Sequence, residues 1–359
     1  MQKKTILHFI YSLGRGGAET MLVKVLKELK EYKNIVVILV DENHFGSELE
    51  CDKLICLNLK SITSIPQAVF KLKKIIRKER PSFVHSHLIW PSIIARLVTS
   101  RRIPLITTIH TSVASSFDYK RWHIRFFDKL TYKFRKSIII VVAKVAYKEY
   151  FSILKLKPFK SFVLQTFVDT NCFNRHLKGK QESLSFKVIS VGSLSLQKNF
   201  LYLINAFEKL KNKNIELHIY GRGDMEQQLH QRINEIGAKV ILKGQVDNIQ
   251  EIIPNYDLYI MPSLFEGFSL SVLEAMAMRM PLLLSDIPSF REQCEDCAIY
   301  FDLNNENDFI QKLEYLMDHK DVLLEKGEQA YNRVINNFTL EHHMTGLRKI
   351  YSEALNENM

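Results

Sequence analysis

Apolar runs of strand length alternate along this chain with stretches whose apolar residues recur every three or four positions. In the first half the runs cover residues 5–10, 35–40, 83–85, 105–109 and 137–142, and a helical period covers 18–32. Alternation of this kind predicts a parallel sheet wrapped by helices, the α/β class. The pattern breaks at residues 167–185, which are polar and show no clear period. A second series of runs follows at 187–191, 216–220, 240–243, 258–261 and 282–285, again with helical stretches between. Two doubly wound, Rossmann-like domains are therefore expected, over 1–166 and 186–338, joined by a linker over 167–185.

Size agrees with that division. The chain has 359 residues, 46% of them hydrophobic, and single cores stop growing at roughly 250–300 residues. Two domains imply a cleft between them. No run of about 18 uncharged apolar residues occurs, and the apolar stretch after Lys3 and Lys4 is too short for a signal peptide and has no cleavage region. A cytoplasmic protein is expected. The five cysteines, Cys51, Cys56, Cys172, Cys294 and Cys297, form an odd, sparse set suited to free thiols in a reducing compartment. Cys294 and Cys297 form one C-x-x-C pair without a second pair or histidines, and read as structural.

In open parallel sheets, ligands bind beyond the carboxyl ends of the strands, which directs attention to four loops. The first carries Gly14, Gly16 and Gly17 ahead of a helix, a place where backbone amides can approach an anion. Its order does not match G-x-G-x-x-G, and a plain tight turn explains it equally well. His85 and His87 follow one strand and His110 another. Two histidines two residues apart raise the question of a metal, but no carboxylate or cysteine stands at ligand spacing, so none is expected. Packing suits His85 best, whereas His110 is placed to meet a substrate oxygen.

The second domain opens with a strand, then Gly192, Ser193 and, at the start of the next helix, Lys198. A lysine there can meet a pyrophosphate as a point charge, or it can simply be solvated. Gly221, Arg222 and Gly223 repeat the strand–glycine–helix design, as does Gly244. The strongest segment spans residues 262–278. It places Glu266, Gly267 and Phe268 in a loop, Ser269 as a helix N-cap, and Leu270 and Ser271 in the first turn, whose amides can hold a diphosphate. Glu274 lies farther along an otherwise apolar stripe formed by Val272, Leu273 and Met276, where a buried acid needs a partner. Acceptors for hydroxyls beside donors for phosphates describe a nucleotide sugar.

At this segment the chain resembles glycosyltransferase family 4, the retaining group with the GT-B architecture. The family signature of two glutamates separated by seven residues reads here as Glu266 and Glu274, followed by Ala275, Met276 and Ala277. Gly16, Gly17, Ala18 and Glu19 near the start, His110, Gly192 with Lys198, the Gly221–Gly223 loop and Gly244 extend the likeness over nearly the whole chain. It implies that Gly16 and Gly17 lie against the sugar or β-phosphate, His110 bonds the transferred sugar, Lys198 binds the diphosphate, Glu266 meets sugar hydroxyls and Glu274 holds the ribose. It further implies that a final segment, 339–359, returns as a helix to the first domain, that no essential metal is needed, and that no cofactor beyond the donor is required. Ser193 departs from the arginine many members carry; Lys198 or Arg222 would then supply the missing charge. The expected activity is retaining transfer of a hexosyl or N-acetylhexosaminyl unit from a nucleotide-diphosphate sugar, a UDP-sugar by preference, to a glycan, with a lipid-linked acceptor of bacterial cell-surface polysaccharide synthesis favoured.

Charge adds the acceptor side. Residues 1–160 carry 30 Lys/Arg against 12 Asp/Glu, or +18, leaving 20 against 27, or −7, for residues 161–359. Between Lys120 and Lys136, Trp122, Phe126, Leu130 and Phe134 recur at helical spacing among Arg121, Arg125, Lys129, Lys133 and Arg135. Such a stripe suits the anionic inner face of a membrane, and equally it can pack in the core. Two other functions compete. A nucleic-acid-binding protein would explain the basic half, but no zinc-finger, RRM or basic-zipper pattern is present, so no nucleic acid partner is expected. A sugar-nucleotide epimerase of related fold would use the donor without an acceptor.

Overall fold

The computed structural model describes residues 3–114, 116–173, 185–210 and 213–356. They divide into two compact units, one containing residues up to 166 together with those from 343 onward, the other containing 167–342.

The first unit begins with β1 (Thr5–Ile10), α1 (Gly17–Glu28), β2 (Lys33–Ile38), β3 (Lys53–Cys56), α2 (Ile65–Glu79), β4 (Phe83–His87), α3 (Ile89–Val98) and β5 (Leu105–Ile109). It continues through α4 (Phe117–Lys120), α5 (Trp122–Phe134), β6 (Ile138–Val141), α6 (Lys144–Ile153) and β7 (Lys160–Val163). All seven strands run parallel in the order β3-β2-β1-β4-β5-β6-β7. The two-sided burial of the five central strands explains their apolar runs. Leu7, Phe9, Ile35 and Val37 pack beneath Leu72 and Ile76 of α2, while Ile10, Val36 and Ile38 pack against Leu22 and Leu26 of α1. Each such side chain stabilises the fold by about 1.5–3 kcal/mol on burial.

The second unit comprises β8 (Phe186–Val191), α7 (Phe200–Lys209), β9 (Ile215–Tyr220), α8 (Glu226–Ile236), β10 (Val240–Gly244), α9 (Ile249–Ile252) and β11 (Leu258–Met261). After these come α10 (Leu270–Ala277), β12 (Leu282–Ser285), α11 (Pro288–Cys294), β13 (Ile299–Phe301), α12 (Glu306–Asp318) and α13 (Lys320–Asn337). Six parallel strands order as β10-β9-β8-β11-β12-β13. The last helix, α14 (Leu340–Asn356), is held in the first unit over most of its length. Tyr351 Oη lies 2.7 Å from His85 Nδ1, Arg348 donates to Glu31 at 2.9 Å, and the Gln165 carbonyl accepts from His343 Nδ1 at 2.8 Å.

In both sheets the strand order reverses once, between β1 and β4 and between β8 and β11. Those are the switch points at which loops diverge and leave room for a ligand at the carboxyl ends.

Three strands escape the sequence pattern, and all are edge strands: β3, β7 and β13. β3 and β7 are buried on fewer sides and mixed in composition, with Lys53 and Leu54 of β3 exposed, whereas β13 is apolar but only three residues long. The helix read over 18–32 stops at Glu28, because residues 29–32 turn to feed β2, with Tyr32 N donating to Leu29 O at 3.0 Å. Of the stretch expected as a linker, residues 174–184 lie outside those described. Phe167, Val168 and Phe173 are buried, and Val168 N donates to Phe338 O at 2.9 Å within the second unit. All five cysteines are free. Among the described residues no helix is long and apolar enough to cross a membrane.

Candidate active site

At the switch point of the second unit, the loop after β8 meets the loop after β11. Lys198 Nζ donates to Glu266 Oε1 at 2.7 Å, across 68 residues of chain. The carboxylate also accepts from Ser263 Oγ at 2.7 Å and from Gln197 Nε2 at 3.2 Å. Gln197 in turn donates to the Phe265 carbonyl at 3.0 Å, so the loop is clamped at both ends. Glu266 is only 7% exposed and its acceptor capacity is well used, as a buried charge requires. The lysine read as a diphosphate ligand and the glutamate read as a hydroxyl acceptor are thus direct neighbours.

Backbone geometry makes this meeting possible. A Cβ on Gly192 would lie 3.1 Å from Lys198 Cε, so the bare glycine lets the lysine stem cross it. Gly221 sits at φ +149°, and a Cβ there would fall 1.8 Å from Gly192 O. The loops after β8, β9 and β10 are stitched edge to edge through Gly192 N to Tyr220 O and Gly221 N to Gly244 O, each at 2.9 Å. Leu194 N bonds Arg222 O at 2.9 Å in the same row, which puts Arg222 beside exposed Ser193, the position where the arginine is missing. Gly221→Ala is expected to lower the stability of this unit by at least ~2 kcal/mol through backbone strain and overlap, measured as a drop in the urea midpoint. An unchanged midpoint would mean that the loops separate at little cost.

The helix after Glu266 starts as the sequence predicts, but its cap differs. Ser269 holds the N-cap position with no side-chain capping bond, its hydroxyl lying 3.4 Å from Ser271 Oγ. Gln293 of α11, fully buried, takes over: its Oε1 accepts from Ser269 N at 2.9 Å and its Nε2 donates to Ser269 O at 2.8 Å. That clamp leaves the first-turn amides of Leu270 and Ser271 as the donors a helix cannot satisfy internally. Gly267 and Phe268 are buried, Phe268 against Phe338 at 5.1 Å between ring centroids. Glu274 is half-buried, like Leu270 and Ser271, among the buried residues Val272, Leu273, Ala275, Met276 and Ala277 of the same helix. It stands near Tyr259, whose hydroxyl donates to Val191 O at 3.2 Å. Burial, and then the carboxylates of Glu274 and Glu266, hold that phenol well above its ordinary pKa. Tyr259 thereby ties β8, the Glu266 loop and α10 into one group.

The first unit gathers its own set at the carboxyl ends of β1, β4 and β5. Gly16 and Gly17 are exposed at the start of α1, with Glu19 folded back so that its Oε2 would be 2.4 Å from a Gly16 Cβ. Burial first, then the Glu42 charge, raises the Glu19 pKa. His110 is half-buried, its Nε2 3.3 Å from His87 Nδ1, and burial with the nearby His343 lowers its pKa to about 3. At neutral pH it is an uncharged imidazole, able to donate one hydrogen bond without adding charge.

His85 packs, as the sequence suggests, with both ring nitrogens 2.7 Å from hydroxyls of Tyr351 and Thr108. Sequence reading missed His8, which the β1–β4 register sets opposite His85. Ligand atoms of His8, His85 and His87 lie within 4.8 Å of one another.

Two family models match the chain in succession, Glycosyltransferase Family 4 over residues 15–171 and Glycosyl transferases group 1 over residues 185–319. This chain is a family 4, group 1 glycosyltransferase. That membership decides between the transferase and epimerase readings in favour of transfer. Among relatives of this glycosyltransferase, the UDP-Gal:alpha-D-GlcNAc-diphosphoundecaprenol alpha-1,3-galactosyltransferase of Escherichia coli is 26% identical, over 84% of this chain and 82% of the relative. The N-acetylgalactosamine-N,N'-diacetylbacillosaminyl-diphospho-undecaprenol 4-alpha-N-acetylgalactosaminyltransferase of Campylobacter jejuni is 25% identical, over 89% and 91%. Among solved structures, Anabaena HepE in complex with UDP-glucose superposes with a TM-score of 0.85 at 15% identity, covering 97% of this chain and 99% of that one. The fold is GT-B.

Proposed function

We propose that this glycosyltransferase moves a hexosyl or N-acetylhexosaminyl unit from a UDP-sugar to a lipid-linked glycan in bacterial cell-surface polysaccharide synthesis, with retention of configuration. The observation that carries the reading is the Lys198–Glu266 pair at the switch point beside the start of α10. One group there matches a diphosphate and the other a polyol, at adjoining positions, as a nucleotide sugar requires. The Escherichia coli and Campylobacter jejuni relatives are named for diphosphoundecaprenol acceptors, which supports the lipid-linked class. Such an acceptor is held in a bilayer, so the enzyme works as a peripheral protein on the cytoplasmic face of the membrane.

In this reading Gly16, Gly17, Gly192, Ser193 and Gly221 let backbone approach the donor. Leu270 and Ser271 amides hold the diphosphate at the helix end, with Gly267, Phe268 and Ser269 shaping that turn, and Glu274 takes the ribose hydroxyls. His110 donates to the transferred sugar. The bond from the anomeric carbon to the diphosphate breaks, the acceptor oxygen bonds to that carbon on the same face, and the acceptor proton leaves with the departing phosphate. Lys198 and the α10 amides neutralise the charge that grows on the leaving group, so no essential metal and no further cofactor are needed.

The test is mass spectrometry of nucleoside diphosphate release and sugar transfer over a panel of UDP- and GDP-sugars with lipid extract, run with and without chelator. Transfer from a UDP-sugar that survives chelation, and that Glu274→Ala weakens by ~10-fold or more through lost hydroxyl bonds, is the expected result. Absence of binding for every nucleotide sugar would refute the donor assignment.

A further inference from the structure

The aromatic stripe of the first unit faces solvent. On α5, Trp122 is 72% exposed, Phe134 63%, Phe126 51%, Leu130 49% and Phe127 46%. At 3.6 residues per turn these five fall on one arc of the helix; Arg121, Arg125 and Lys129 fall on the arc beside it, and Lys133 stands within it between Trp122 and Phe126. The inner side of the helix is instead mainly polar: Ile124, Asp128, Thr131 and Tyr132 are buried. Asp128 fixes this orientation. Its carboxylate pairs with buried Arg96 of α3 and accepts from Tyr119 Oη at 2.8 Å and Tyr150 Oη at 3.4 Å. Rolling the helix to hide its aromatics would strand a charged pair, so the stripe stays outside.

Where α5 ends, Phe134 and Arg135 form one wall of a groove of about 570 Å³. Lys73 and Arg77 of α2, with Arg80 and Arg101 from the turns that enter β4 and β5, add charge to it, and Arg96, whose charge Asp128 balances, also lines it. None of the lining residues is acidic. Arg135 has its pKa lowered by burial and by the Arg101 charge, two cations drawn close in the groove. The groove lies at the amino ends of the strands, away from His110, so it is separate from the set of residues at the carboxyl ends. A large exposed apolar patch marks an interaction surface, and one flanked by uncompensated cations matches phosphate headgroups above acyl chains. A second copy of this chain would bring like charge against like.

We propose that the outer face of α5 and the adjoining basic groove form one docking surface for an anionic phospholipid bilayer. The aromatic side chains enter the interface and the groove takes lipid phosphates. The proposal rests on the reading that the acceptor is lipid-linked, but vesicle binding is measured without donor or acceptor, so the two fail separately.

The experiment is cosedimentation of the full chain with phosphatidylcholine vesicles, with and without phosphatidylglycerol, alongside emission from Trp122. Binding that requires phosphatidylglycerol, weakens with salt and shifts the emission to the blue is expected. Trp122→Phe, which leaves Trp90 as the only tryptophan, should bind but lose the shift. Phe126→Ser/Phe134→Ser and, separately, Arg77→Glu/Arg101→Glu should each weaken binding by ~10-fold or more while leaving the far-ultraviolet dichroism unchanged. Equal binding to neutral vesicles, no binding, or indifference to both variants would overturn the proposal. So would retention on single-stranded polynucleotide without vesicle binding, or self-association that the same variants abolish.

Discussion

Replacing Lys198 by Ala is expected to lower kcat/KM for sugar transfer by ~10²–10³, the usual cost of removing one preorganised donor from a developing anion. The chain carries Ser193 where many relatives by family carry arginine, so Lys198 has less help than usual and the upper part of that range applies. Glu266→Ala should fall as far. Either single change also leaves its partner without its ion pair, Lys198 with a side chain 13% exposed and Glu266 7%, and breaking such a pair costs about 3–5 kcal/mol when fully buried. A lost activity alone would therefore be ambiguous. The double variant Lys198→Met/Glu266→Gln separates the two causes, because it removes both charges together and should recover much of the stability in a double-mutant cycle. Transfer should stay lost in it. If the double variant regains both its melting temperature and transfer to within tenfold of the wild type, the pair is structural and the catalytic assignment is wrong.

How much of this was legible beforehand follows burial. β1, β5, β11 and β12 are found at their observed limits from the sequence, because each is a mainly apolar run buried on both faces. The Glu266 loop and the start of α10 are equally visible, since strand, glycine and helix follow one another locally. What the sequence hid is non-local. Nothing near Ser269 announces that Gln293 will hold its backbone, and nothing near His85 announces His8, which arrives through strand pairing.

The stripe from Trp122 to Phe134 shows the limit most clearly. Helical spacing of large apolar residues is compatible with core or surface, and the deciding fact is Arg96, 32 residues before Asp128. A lone Asp on a helix reads as solvated until its buried partner is known. Lys198 and Glu266 present the same problem in the site itself: each has a sensible separate role, and only the fold makes them neighbours.

The second large effect is acid instability of the first unit, and it arises from that same hidden packing. Burial lowers the pKa of His8 to about 4, of His110 to about 3 and of His343 to about 4, and holds His85 and His87 well below the ordinary value of 6.5. Above 6.5 these imidazoles are neutral in both folded and unfolded chains and contribute no pH dependence. Below it the unfolded chain binds protons that the folded chain refuses, so stability falls with pH until the folded values near 4 are reached. At pH 5 each such histidine costs roughly 2 kcal/mol at 1.36 kcal/mol per pH unit. The three with stated values then cost ~6 kcal/mol together, comparable with the ~5–15 kcal/mol of a typical domain.

Trp90 and Trp122 are the chain's two tryptophans, and both lie in the first unit, so their emission reports on it alone. A cooperative emission change between about pH 6 and 4 is expected, while amide exchange in β8, β11 and β12 stays protected at the onset. His343→Gln, which keeps a side-chain donor for the Gln165 carbonyl without a titrating ring, should move the midpoint to lower pH. An emission profile flat to pH 4, or a transition that His343→Gln leaves in place along with the further variant His8→Asn, would show that the buried imidazoles accept protons inside the fold and that their burial does not govern its stability.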